Sequence, residues 1–323
     1  MGIVHLFCFS RTADANLLMQ VIRFRTQDPA PTHSVMTIGN FDGVHLGHQK
    51  LIGQVVQEAR ETGAQSVLVT FDPHPQAVLH NIILPGLSCM PQRLTQFEQQ
   101  GLDVACVIPF TAELAKKGAE EFVREYLVEA FQVRRLIVGY DFAFGHNREG
   151  TAKVMEELSV KYNFSFEVCQ AVADAGNVVS STRIREALAT GDFSLAERLM
   201  GRPFSVLGTV ARGPQMGRQL GFPTVNVHPD CPLPLTHGVY ASRVSWQGEA
   251  YTGVSNYGIK PTVGAQGALL ETHLFDFDQE IYGDVVEVTP VQFLRPEKKF
   301  ASLDELKAQI AKDSAEARGI LER

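Results

Sequence analysis

From Ser34 to about Ala173, short apolar runs alternate with stretches in which apolar residues recur every three or four positions. Runs at 35–39, 66–71, 103–109, 135–139 and 164–171 have the length and composition of strands. Between the first two, Leu51, Ile52, Val55, Val56 and Ala59 fall on one face of a helix. The same spacing predicts helices at 91–100, 112–131, 151–161, 182–190 and 193–200. Strands alternating with helices predict an α/β, Rossmann-like domain with a mainly parallel sheet covered on both faces. Such sheets take ligands at the carboxyl ends of strands, near a reversal of strand order.

After Gly201-Arg202-Pro203 the pattern changes to short β-rich runs broken by Gly and Pro, at 204–210, 237–246, 250–255, 269–277 and 285–293. These predict an all-β second domain, a small antiparallel β-barrel. The tail, 302–322, returns to a helical period, with Leu303, Leu306, Ile310 and Ile320 toward one side. Residues 1–18 show no clear period and read as a disordered extension, whereas Met19 to Phe24 look like the beginning of folded chain. The expected division is therefore 1–18, 19–200 and 201–323, in keeping with two domains for 323 residues.

Charge and cysteine content narrow the partners. The net charge is −7, with 17 basic and 22 acidic groups in residues 1–200 and 12 and 14 in residues 201–323. Neither part has the basic excess of a nucleic-acid binder, so no nucleic-acid partner is expected. Five cysteines, none in Cys-x-x-Cys spacing, argue against a zinc site or disulfide framework and for a cytoplasmic setting. No apolar run reaches 18 residues, so no membrane span is expected, and the apolar Ile3–Phe9 stretch is too short for a signal peptide.

The stretch Gly39-Asn40-Phe41-Asp42-Gly43-Val44-His45-Leu46-Gly47-His48-Gln49 falls between the first predicted strand and the first helix. A helix N-terminus offers unpaired N–H groups and partial positive charge to a phosphate, and glycine allows close approach of backbone. His45 and His48 add two donors on the same side. An isolated His-x-x-His is otherwise surface decoration or half a metal site; here the strand before, the helix after and the glycines favour a nucleoside triphosphate.

Three further stretches carry candidate chemistry. Thr70-Phe71-Asp72-Pro73-His74-Pro75 follows the second strand; its prolines fix a loop, and Asp72 and His74 point toward the expected crevice. In the loop 139–150, Asp141, Phe142 and Phe144 stand among glycines, either lining a pocket for a flat ring or filling core beneath the loop. Ser180-Ser181-Thr182-Arg183-Ile184-Arg185 opens a helix; hydroxyls there ordinarily cap, but two added arginines also suit a triphosphate.

Together these stretches resemble the nucleotidyltransferase superfamily, and in particular the FMN adenylyltransferase domain of bacterial bifunctional riboflavin kinase/FAD synthetases, from about Met19 to Met200. The resemblance implies that Gly39, Phe41, Asp42, Gly47, Ser181, Thr182 and Arg185 bind ATP. It implies that His45 and His48 steady the phosphates during catalysis, and that Asp72, His74, Asp141, Phe142 and Phe144 bind the flavin.

The second domain has no Gly-x-x-x-x-Gly-Lys-Ser/Thr and no protein-kinase loop set. Its glycine-rich stretch from Gly208 through Gly213 and Gly217-Arg218 leads into Gly221-Phe222-Pro223-Thr224-Val225-Asn226, and reads as a loop between strands or as a phosphate grip. Thr224 and Asn226 alternate, so they share one face of an extended segment, where oxygen ligands suit Mg²⁺. Glu271 falls in a later strand, as a solvent-facing residue or as a base beside Mg-ATP.

Gly-Phe-Pro-Thr-x-Asn at 221–226, Glu-Thr-His at 271–273, Asn256 to Thr262 and Phe293 to Phe300 resemble the riboflavin kinase domain. The resemblance implies an ATP site at Gly208, Gly213, Gly217, Arg218, Thr224 and Asn226, with Thr224 and Asn226 on the metal. It implies Glu271 as the base and Arg295, Glu297 and Phe300 at the flavin. The family usually has alanine where this chain has Val225, a change expected to be tolerated because that side chain points the other way.

The expected activity is phosphorylation of riboflavin to FMN and ADP, then adenylation of FMN by a second ATP to FAD and pyrophosphate, with Mg²⁺ or another divalent cation. Two rivals stand beside it: an adenylyltransferase for another phosphate such as phosphopantetheine, and a non-catalytic flavin-binding module.

Overall fold

A computed structural model describes residues 19–24, 33–212, 222–229, 231–259 and 268–322. The predicted combination of a parallel α/β part and an antiparallel barrel with a terminal helix is found. The first part contains β1 (Gln20–Arg23), β2 (Ser34–Ile38), α1 (Leu46–Thr62), β3 (Gln65–Asp72), α2 (Pro75–His80), α3 (Met90–Gln99), β4 (Val104–Pro109), α4 (Ala112–Ala115) and α5 (Ala119–Phe122). It continues through β5 (Arg135–Gly139), α6 (Ala152–Tyr162), β6 (Ser165–Cys169), a small hairpin of β7 (Ala173–Asp174) and β8 (Asn177–Val178), α7 (Ser181–Ala189) and α8 (Phe193–Met200).

Six strands form one parallel sheet in the order β1-β4-β3-β2-β5-β6. From β2 the chain moves outward through β3 and β4, then returns to the other side of β2 as β5. The order therefore reverses between β2 and β5, and a crevice is expected outside the carboxyl ends of those two strands.

Side-chain alternation sorts the sheet's apolar residues onto two faces. Met36, Ile38, Val67, Val69, Cys106, Ile108, Leu136 and Val138 join one buried cluster, which Phe122, Phe131, Met155 and Leu158 cover. Val35, Leu68, Ala105, Val107 and Ile137 join the other, against Leu51, Ile52, Val55, Val56 and Ala59 of α1 and Leu94 and Phe97 of α3. The α1 stripe is the one predicted from spacing. Burial on both faces explains why these strands read as continuous apolar runs.

Two local expectations need correction. The single helix at 112–131 is broken: α4 and α5 are separate short helices, and α5 runs on into wider π-type turns over Val123–Ala130. Gly118 caps α5, and the Glu149 carboxylate accepts the Ala119 N–H at 2.7 Å, so a restart is stabilised there. The Asp72–Pro75 loop passes directly into α2, because Pro75 at the first turn lacks only an N–H that a helix start leaves unpaired, and His74 caps it.

The second part is a closed antiparallel barrel of β9 (Val206–Ala211), β10 (Thr224–Val227), β11 (Gly238–Trp246), β12 (Glu249–Ile259), β13 (Ala268–Leu274) and β14 (Val285–Pro296), followed by α9 (Leu303–Leu321). Its strands run β10-β13-β12-β11-β14-β9 and back to β10. Tyr240, Val244, Tyr257, Leu270 and Val288 fill the interior and share one buried cluster with Ile184, Leu188, Leu199 and Met200 of α7 and α8. Apolar core is therefore continuous across Gly201–Pro203. On the outside, α9 lays Ala317 and Leu321 over Val239, Ala241, Val254 and Phe275.

Candidate active sites

The turn after β2 is built by backbone that few residues adopt willingly. Phe41, Gly43 and Val44 have φ of 51°, 78° and 38°. A Cβ on Gly43 would stand 2.9 Å from Leu87 Cβ, so glycine is required there by both conformation and space. His45 then caps α1: its Nδ1 accepts the His48 N–H at 3.3 Å, leaving Nε2 to carry the proton. The two imidazoles stack, with centroids 3.6 Å apart and planes at 15°, and Phe41 meets His48 edge-on at 5.2 Å. Gly47 lets His45 lie close, since a Cβ there would be 3.1 Å from the ring.

Burial sets the charge of this pair. It pulls the His45 pKa down to about 4, with nearby Asp42 opposing and Arg202 assisting. His48 is pushed well below its ordinary value by burial, then by His45 and by Arg93. Both rings are therefore neutral near pH 7 and act as N–H donors at a helix N-terminus. The buried Nδ1 of His48 has no hydrogen-bond partner among the described residues.

Asp42 is 5% exposed and serves as the hub beneath the turn. Its carboxylate accepts the Leu87 N–H at 3.1 Å, the Ser88 N–H at 3.2 Å and an Arg185 Nη2–H at 2.5 Å. Arg185 also donates to the Pro85 carbonyl at 2.8 Å, so its guanidinium joins Asp42 to the 85–88 loop. Ser181 donates to the Asp42 carbonyl at 3.0 Å, while Thr182 beside it is exposed. The start of α7 is thus tied to the turn after β2, although 139 residues separate Asp42 from Ser181.

His74 accepts the Gln76 N–H at 3.2 Å, and its pKa is lowered by burial, with Asp42 opposing and Arg185 and Arg93 assisting. Asp72 is exposed at the end of β3. Across the reversal, the loop after β5 holds Asp141 exposed and stacks Phe142 on Phe144 at 5.2 Å and 20°. Phe144 packs toward Phe122 at 5.9 Å, and Gly150 leaves room for it, because a Cβ there would be 2.6 Å from the ring. Both phenylalanines are partly buried against the sheet cluster, so they fill core as well as facing the loop. Gly39 follows β2, and its N–H donates to the Val69 carbonyl at 3.0 Å.

Arg93 is a contributor that no sequence motif marks. It is 7% exposed on α3, donates to the Asn40 carbonyl at 2.9 Å, and leaves its buried Nε without a partner among the described residues. A lone arginine next to core-facing Leu94 is the only local sign of it.

The barrel site is assembled by register. Asn226 on β10 lies directly opposite Glu271 on β13, and Glu271 lies opposite Asn256 on β12. Val225 and Leu270 belong to the interior cluster, so Thr224, Asn226, Glu271 and Asn256 share the outer face. The Asn226 Oδ1 is buried and has no hydrogen-bond partner among the described residues. A neutral oxygen of that kind, with Thr224 on the same face and a carboxylate adjacent, fits a hard divalent cation shared with phosphates. Asn256 also donates to Glu297 at 3.4 Å.

Two barrel candidates have firm structural duties. Arg295 clamps Asp313 of α9, with Nε 3.0 Å and Nη2 2.7 Å from carboxylate oxygens, and lies 5.8 Å over the Phe300 ring. Gly208 sits where β9 meets β10, and a Cβ there would be 2.5 Å from Val227 Cγ1. Gly213, Gly217 and Arg218 lie outside the described residues.

A family model described as FAD synthetase matches residues 27–183, and one described as riboflavin kinase matches 200–321. The bifunctional riboflavin kinase/FMN adenylyltransferase of Pseudomonas fluorescens is 40% identical over 305 residues, covering 94% of this chain and 98% of its own. The chain belongs to the bifunctional riboflavin kinase/FMN adenylyltransferase family. The Bacillus subtilis member is 38% identical over 88% of this chain and 91% of its own. A crystal structure from Streptococcus pneumoniae, described as a macrolide-efflux protein, superposes with TM-score 0.76 at 28% identity, over 92% of this chain and 97% of that one. Among the described residues no helix is long and apolar enough to cross a membrane.

Proposed function

We propose that this chain makes FAD from riboflavin in two ATP-dependent steps at two separate sites. It is a riboflavin kinase and an FMN adenylyltransferase, with riboflavin, FMN, ATP and FAD as substrates and products. The carrying observation is that the Pseudomonas fluorescens relative is 40% identical over 94% of this chain, a likeness that spans both the 27–183 and the 200–321 family matches.

The kinase step belongs to residues 201–323. Glu271 takes the proton from the ribityl 5′-hydroxyl, and that oxygen attacks the γ-phosphorus of ATP, leaving ADP. Thr224 and Asn226 would hold a divalent cation, taken as Mg²⁺, which would offset the charge on the ATP phosphates. Gly208, Gly213, Gly217 and Arg218 border the phosphates, and Arg295, Glu297 and Phe300 border the flavin.

The adenylyl step belongs to residues 19–200. An oxygen of the FMN phosphate attacks the α-phosphorus of a second ATP, and the bond to pyrophosphate breaks. That phosphate is already ionised, so the step needs charge stabilisation more than a base. His45 and His48 donate to the phosphates as charge moves onto pyrophosphate, and Ser181, Thr182 and Arg185 hold its outer end. Asp72, His74, Asp141, Phe142 and Phe144 receive the flavin. The setting is the cytoplasm, with no nucleic-acid or membrane partner. Chromatography after incubation with riboflavin, ATP and Mg²⁺ tests the reading: FMN and FAD both appear, and absence of either refutes the two-step assignment.

A further inference from the structure

We infer that Arg202, in the segment joining the two halves, is a positioning residue for adenylyl transfer, acting through the backbone of the turn that carries His45 and His48. The inference rests on the adenylyltransferase reading of that turn.

Val44 is the strained member of the turn. A β-branched residue at φ 38° is disfavoured, and such a conformation persists only where its surroundings over-determine it. Part of the restraint is local, a Val44 N–H bond to the Phe41 carbonyl at 3.2 Å. The rest comes from elsewhere. Arg202 Nη2 donates to the Gly43 carbonyl at 2.7 Å, and its Nη1 donates to the carbonyls of Val44 at 3.3 Å and Met200 at 3.4 Å. Gln49 Nε2 donates to the same two carbonyls, Val44 and Met200, each at 2.8 Å. The linker thus shares its own last helical carbonyl with the turn through two side chains.

Backbone packing completes the clamp. Gly201 has φ 71°, and a Cβ there would stand 2.8 Å from Leu46 Cδ2, so the linker lies directly on the first turn of α1. Behind Arg202, Glu287 of β14 attracts its guanidinium. Glu287 also accepts the Ser205 hydroxyl at 2.5 Å, and Gln92 of α3 donates to the Ser205 carbonyl at 3.1 Å. A planar fork with several fixed donors is what three carbonyls in different directions require, and a lysine ammonium does not reproduce it. Arg202 makes no hydrogen bond to either imidazole ring; it fixes the carbonyls immediately before His45.

The test is steady-state kinetics of full-length wild type, Arg202→Ala and Arg202→Lys, with both reactions measured on each preparation. Arg202→Ala lowers kcat for FMN adenylation about 10- to 100-fold, the scale of a displaced catalytic turn, with KM for FMN little changed. Riboflavin phosphorylation by the same preparation stays within about twofold, which reports that the chain is folded, and Arg202→Lys recovers only part of the loss. Unchanged adenylation kcat in both variants overturns the inference. So does an equal fall in both reactions with a lowered Tm, which marks Arg202 as merely structural. A wild type that forms no FAD from FMN overturns the functional reading itself, and the inference with it.

Discussion

The two candidate sites are built by opposite means. In the α/β part, His45 and His48 follow a turn in which three of the four residues Phe41 to Val44 have positive φ, tied down by groups 45 to 159 residues away. In the barrel, Asn226, Glu271 and Asn256 become neighbours through ladder register alone, on regular strands. The first site depends on remote ties and buried charge. The second depends on strand pairing, which gathers its candidate side chains on one outer face. Substitutions should therefore separate cleanly by activity in the barrel and spread into stability in the α/β part.

The largest expected effect is at Glu271. Glu271→Ala lowers FMN formation from riboflavin by about 10²–10⁴, the usual contribution of a general base, while added FMN is still adenylated at the wild-type rate. Measuring both rates on one preparation decides this; loss of both in a folded protein breaks the contrast between the sites.

Next comes Asp42. Its removal leaves Arg185 and two backbone N–H groups without their acceptor, and breaking a buried pair in this way costs about 3–5 kcal/mol. Urea unfolding of Asp42→Ala should show that loss, together with weakened adenylation. A variant of unchanged stability would show that the hub is dispensable.

The histidine pair predicts an acid-side dependence. His45 titrates at about 4 in the fold against an ordinary 6.5, so the fold favours the neutral ring. The stability it contributes is whole above pH 6.5 and is lost as pH falls toward about 4, a difference of about 3 kcal/mol. Unfolding midpoints at pH 7 and pH 4.5 should differ more for wild type than for His45→Gln. Equal pH sensitivity would remove the argument for a neutral, buried pair.

The smallest effect is expected at Asn226. Asn226→Ala should raise the Mg²⁺ concentration needed for half-maximal kinase activity by about tenfold, the scale of one lost oxygen ligand or its support, and leave the requirement of adenylation unchanged.

Much of the architecture was legible in the sequence for a simple reason. Strands buried on both faces leave apolar runs, and α1 leaves a clear stripe in Leu51, Ile52, Val55, Val56 and Ala59. The turn after β2 announced itself because glycine and histidine requirements there are local. The break at Gly118 escaped detection because a carboxylate 30 residues away, Glu149, stabilises the restart. Asp42 as a hub, and Arg93 and Arg202 as ties to the same turn, are illegible in the sequence for the same reason: each is defined by partners remote in sequence, not by any nearby pattern. In the barrel, Asn256 was visible only as part of a family-like stretch; its place beside Glu271 needed the register.

Two steps at two sites should come apart in His48→Ala. Chromatography of a time course with riboflavin, ATP and Mg²⁺ should show FMN accumulating at the wild-type rate while FAD falls by about 10²–10³, the scale of a lost charge-stabilising donor. FAD formed at the wild-type rate, or loss of FMN formation as well in a folded protein, would rule out separate sites.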